Sequence, residues 1–146
     1  MNQPLLTNFN FFVLTFLFIV NYSLGQSDDP CSAPVLTVNA SCTFASGTNA
    51  GATATAGIPV PGCASYSGGD VWFTAIVPAN GSISISTQAN VMTDGGMAFY
   101  SGTCSALTLI SCDDNSGTGN MPDLFATGLT PGAIIWIRVW ENGNNN

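Results

Sequence analysis

The chain has 146 residues, of which 46% are hydrophobic and only 6% are charged, and its net charge is −7 because Arg138 stands alone against seven aspartates and Glu141. Such a surface repels phosphate backbones and excludes nucleic acid as a partner. With no Lys and no His, the chain also lacks a Schiff-base nucleophile, the usual general base near neutral pH and the commonest zinc ligand.

The first 25 residues carry no charged side chain and contain the apolar run 11–20, FFVLTFLFIV. That run is shorter than the roughly 20 residues needed to span a bilayer. Ser23 and Gly25 supply the small residues of a cleavage site. Residues 1–25 therefore read as a signal peptide, with an uncleaved N-terminal anchor as the alternative. Residues 26–146 read as one secreted or cell-surface module with no membrane contact after cleavage.

All five cysteines, Cys31, Cys42, Cys63, Cys104 and Cys112, lie beyond this leader, as expected of thiols destined for an oxidising compartment. Two bridges among five cysteines can be drawn in fifteen ways, and spacing alone does not choose between them. No C-x-x-C pair occurs, so a zinc site of ordinary spacing is not expected, and a catalytic thiolate would lack its base.

The punctuation of the mature chain is that of short strands and turns. Segments 35–38 and 52–56 are weak strand candidates. The run 71–77, VWFTAIV, is bounded by Gly69 and Pro78. Residues 82–87, SISIST, alternate strictly, placing Ile83 and Ile85 on a buried face and the serines on a wet one. Segments 97–100, 107–111, 124–127 and 133–140 are rich in β-branched or aromatic residues, and turn signals such as Asp94-Gly95-Gly96 and Pro131-Gly132 recur between them. No segment has a helical period with caps. The pattern predicts an all-β, antiparallel β-sandwich.

The last strand has two different faces. Ile135, Ile137 and Val139 form an apolar row, whereas Trp136, Arg138 and Trp140 point the other way. Arg138 between two tryptophans suggests a cation–π ladder. An exposed Trp136 and Trp140 face, helped by Tyr100 or Tyr66, would suit a sugar. The alternative is a central strand covered on both sides. The polar tail that follows, 141–146, implies a missing hairpin partner, so the chain reads as a fragment whose final strand lies beyond it.

Asp113, Asp114 and Asn115, with Asp94 and with Asp70 or Asp123 from neighbouring loops, offer the oxygen ligands calcium prefers, although not with EF-hand spacing. Turn capping is the alternative use of these side chains. Adjacent aspartates on an extended segment point to opposite faces, which argues against the paired carboxylates of a glycosidase. The sequons at Asn39 and Asn80 carry no role in this reading.

Taken in order, Gly69-Asp70-Val71-Trp72-Phe73, residues 94–104 (DGGMAFYSGTC), Cys112-Asp113-Asp114-Asn115, Gly128-Leu129-Thr130-Pro131-Gly132 and Trp136-Ile137-Arg138-Val139 resemble secreted bacterial β-sandwich modules related to the pre-peptidase C-terminal domain, with a more distant likeness to CUB-type modules. The resemblance implies a non-catalytic, jelly-roll-like module of a larger exported protein such as a peptidase or adhesin. Its partners would be other modules of that protein, or an extracellular polysaccharide or surface protein. It implies bridges Cys42–Cys63 and Cys104–Cys112, with Cys31 left for a cysteine in the final strand, and it strengthens the case for calcium at the aspartate loops beside the turn-capping alternative. No cofactor is required. The second bridge conflicts with a straight strand over 107–111, because eight residues at about 3.3 Å each separate the cysteines far beyond the roughly 7 Å a disulfide allows.

Overall fold

A computed structural model of the chain describes residues 25–144. The leader assigned to 1–25 lies outside these residues apart from Gly25. Six strands form two antiparallel sheets: β1 (Val71–Ile76), β2 (Ile83–Ser86), β3 (Gly95–Thr103), β4 (Ala106–Asp113), β5 (Asp123–Ala126) and β6 (Ile134–Glu141). The larger sheet has the order β1-β6-β3-β4 and the smaller pairs β2 with β5. The fold is the expected β-sandwich.

Strand alternation builds the core between the sheets. Ala75 of β1, Met97 and Phe99 of β3, and Ile135 and Ile137 of β6 face Ile83 of β2 and Leu124 and Ala126 of β5 in one buried cluster. The alternating 82–87 segment behaves as expected, with Ile83 buried and Ser84 exposed. A bulge where β3 and β4 shift register between Phe99 and Tyr100 leaves Ile110 without a partner. It sends Ile110 to this core while Leu109 and Cys112 face the opposite side of the sheet.

That opposite side, the outer face, is covered by a long irregular strap, residues 27–70. One turn of 3-10 helix, Pro30–Ser32, begins it, capped by the Asp29 carboxylate, which accepts from Cys31 N at 2.8 Å. The strap first closes the edge of β1: Trp72 N donates to Ser27 O at 2.7 Å, Thr74 N to Pro34 O at 2.8 Å and Leu36 N to Thr74 O at 2.7 Å. Neither weak strand candidate becomes a strand. Segment 35–38 contributes only an isolated bridge from Val35 to Thr74, and 52–56 crosses the sheet without pairing in a ladder. The strap then returns over the outer face, where Ile58, Cys63, Ala64 and Tyr66 pack on Trp72, Tyr100, Trp136 and Trp140.

Two expectations are corrected here. β6 lies between β1 and β3, so the strand before the polar tail has no free edge waiting for a hairpin partner. The disulfides are Cys31–Cys104 and Cys63–Cys112, with Cys42 free and exposed. Cys104–Cys112 fails because β4 runs from Ala106 to Asp113 without folding back, which keeps Cys112 near its end away from Cys104 just before its start. Cys42–Cys63 fails because the strap separates them. Cys42 is exposed, two residues before Phe44, which lines a groove beside β2 and β5, whereas Cys63 packs on the outer face.

Candidate functional site

The residues expected to meet a ligand, Tyr100, Trp136, Arg138 and Trp140, do lie together on the outer face, but they are 0%, 8%, 1% and 0% exposed. What they meet is the strap. Trp136 Nε1 donates to Pro30 O at 3.2 Å, Arg138 Nη2 to Thr55 O at 3.4 Å, Tyr100 OH to Pro59 O at 2.8 Å and Trp140 Nε1 to Ala64 O at 3.0 Å. Each polar tip is matched to one strap carbonyl, as burial demands. The exposed Trp and Tyr face is therefore absent, because the chain's own residues 30–64 occupy it. Close approach also needs Gly96, where a Cβ would overlap the ring of Trp140 and the methyl of Ala64.

Arg138 is the centre of this layer. Its Nε lies 3.0 Å from Asp70 Oδ2, an ionic contact in which the N–H itself is not aimed at a partner, and its Nη2 donates to Asp70 Oδ1 at 3.2 Å and to Tyr66 OH. The Asp70 carboxylate is saturated. Oδ1 accepts from Tyr66 OH at 2.5 Å and Thr55 N at 3.2 Å, and Oδ2 accepts from Thr55 Oγ1 at 2.7 Å and Trp72 Nε1 at 2.9 Å. The guanidinium stacks over Tyr66, 4.1 Å from its centroid, and Trp72, 5.1 Å away. The cation–π partners are thus these two rings rather than the tryptophans flanking Arg138 in sequence. Tyr66 in turn meets Trp140 edge to face at 5.4 Å.

The electrostatics follow from the packing. Burial would push the Asp70 carboxyl up, but hydrogen bonds from Arg138, Tyr66 and Thr55 and the guanidinium charge hold it below the ordinary carboxylate range. Burial and the neighbouring Asp70 push the Tyr66 phenol well above its usual value. Burial likewise raises Tyr100. The ion pair is closed, neutral overall and fully ionised, so it offers neither a general acid nor a general base. Asp70 is correspondingly unable to join a calcium site from a neighbouring loop. Every other charged side chain of the chain is acidic.

The expected cation ligands are only partly brought together. Asp113 caps the turn after β4: its carboxylate accepts from Ser116 Oγ at 2.6 Å, Ser116 N at 3.2 Å and Asp123 N at 2.9 Å. These bonds outweigh burial and lower its pKa. Asp94 accepts from Asn142 Nδ2 at 3.3 Å. Asp114 is pushed up by burial and by the charges of Asp94 and Asp113, and its Oδ1 is buried without a hydrogen-bond partner. Asn115 is exposed. Among the described residues, no group of three or more His, Cys, Asp or Glu side chains is arranged to hold a metal ion.

Sequence reasoning used Asp70 only as a motif residue and loop ligand, and Thr55 not at all. The signal was present: the chain's one cation lies on β6 in register with Trp72, two residues from Asp70. No family model, no curated protein and no solved structure matches the chain.

Proposed function

We propose that residues 26–146 are a non-catalytic stabilising and interaction module of an exported or cell-surface protein, of the pre-peptidase C-terminal type that the sequence resembles. The observation that carries this reading is the closed Arg138–Asp70 layer. The chain's only cation and its most buried carboxylate neutralise each other under a strap tied down by two disulfides. Arg138, Asp70 and the Tyr66 phenol are all consumed in holding the fold. Two bridges fit an oxidising compartment, and among the described residues no helix is long and apolar enough to cross a membrane.

Expression with the leader in a secreting bacterial host tests both halves. The product is expected outside the cytoplasm, beginning at Gln26, with Cys42 as its single free thiol and no turnover of peptide, ester or glycoside substrates. A reduced cytoplasmic product, or turnover abolished by Asp113→Asn, would contradict the reading. Calcium at the Asp94, Asp113 and Asp114 loops belongs to the same proposal. The carboxylates repel one another there, and the unpartnered Asp114 Oδ1 is the atom a cation would serve.

A further inference from the structure

A groove of about 610 Å3, open to solvent, lies between the loop bearing Phe44 and the ends of β2 and β5. Its volume is that of a small-ligand site, and neither the sandwich core nor the ion-pair layer uses it. Phe44 lines it while remaining 59% exposed, so the ring is not committed to packing. Apart from Ala89 and Gly117, the remaining lining is polar. The side chains of Ser86, Gln88 and Thr118 make no hydrogen bond to another described residue. Asp123 shares only one oxygen, with Ser84 Oγ at 3.5 Å.

These groups define a ligand chemistry. Free hydroxyls, an amide and a carboxylate exchange hydrogen bonds with a polyhydroxylated molecule, and an exposed aromatic ring takes the C–H face of a pyranose. The groove has no cation, and the chain's only Arg is buried elsewhere, so phosphorylated, sulfated and uronic ligands are repelled. We propose that this groove binds a neutral oligosaccharide, with Phe44 as the stacking platform and Gln88 and Asp123 reading its hydroxyls. The inference rests on the module reading and names its ligand class.

Calorimetric titration with a panel of neutral glycans (β-glucan, xylan, mannan, starch), beside sulfated dextran and calcium chloride alone, tests it. Saturable binding to at least one neutral glycan is expected, weakened roughly tenfold by Phe44→Ala and several-fold by Gln88→Ala. Both residues are exposed, so the melting temperature should stay unchanged and separate lost binding from lost folding. Absence of binding at millimolar neutral glycan, binding that survives both substitutions, or binding of sulfated dextran alone would overturn the site and leave the module reading standing. Hydrolysis of the bound glycan would instead overturn the module reading.

Discussion

The two faces of the four-stranded sheet are closed by different physics. The inner face meets a second sheet through apolar side chains, and such contacts are non-directional and tolerate swaps of similar volume. The outer face meets the irregular strap through one ion pair and a set of donors each aimed at a particular carbonyl. Irregular backbone has carbonyls to offer because no ladder uses them. Large amphipathic side chains such as Trp, Tyr and Arg suit that partner, since their bodies bury area while their tips find acceptors. The outer layer is therefore specific where the inner is forgiving.

The largest effect should come from breaking one half of the ion pair. Arg138→Met alone strands a buried carboxylate and is expected to cost roughly 3–5 kcal/mol, whereas Ile137→Val beside it on the inner face should cost about 1 kcal/mol. Adding Asp70→Leu to Arg138→Met should recover much of the loss. Urea unfolding of the four proteins measures this, and equal losses at 137 and 138 would erase the distinction between the faces. Removing a staple comes close behind. The bridges span 73 and 49 residues, and Cys31→Ser or Cys112→Ser should each cost about 4 kcal/mol on loop entropy. A non-reducing peptide map should show Cys42 as the only alkylated thiol.

Acid should attack the ion-pair layer of the outer face. Asp70 titrates lower in the folded state than the unfolded value of about 3.9, so its contribution is fully present above that pH and is lost as pH falls through the depressed folded value. Unfolding monitored from pH 7 downward is expected to hold steady until about pH 4 and then fall, and the fall should be shallower in the Arg138→Met, Asp70→Leu double variant. The smallest effect concerns Asp114, whose folded pKa is raised. Its charge opposes folding at neutral pH, and Asp114→Asn should raise the melting temperature by about 2 °C or less, given its solvent access. Calcium should stabilise the parent and not this variant. An unchanged midpoint of the parent in calcium and in chelator would dismiss the cation.

The strands were legible because period-2 alternation and apolar runs report burial directly. Segments 71–77, 82–87 and 133–140 correspond to β1, β2 and β6 within a residue or two, and the two-faced reading of β6 holds, with Ile135 and Ile137 in one cluster and Trp136 and Trp140 in the other. The strap was not legible. Pro30, Pro34, Pro59 and Pro61 deny it a ladder, and what fixes it is contact between Pro30 and Trp136 or Ala64 and Trp140, over 70 residues apart in sequence. Disulfide pairing depends on where that strap runs, so it was illegible for the same reason. The conflict between a straight β4 and a Cys104–Cys112 bridge was visible in spacing, and the strand prevailed. Phe44 and its groove left no periodic trace, since an isolated aromatic in a polar loop looks the same whether it is packed or waiting.

The covered outer face is tested most directly by acrylamide quenching of tryptophan fluorescence in the native, oxidised protein. All three tryptophans, Trp72, Trp136 and Trp140, lie under the strap. The predicted result is a blue-shifted emission that acrylamide barely reaches until the disulfides are reduced and the protein is unfolded. Ready quenching of the folded, oxidised protein would show the outer face open and would contradict the account.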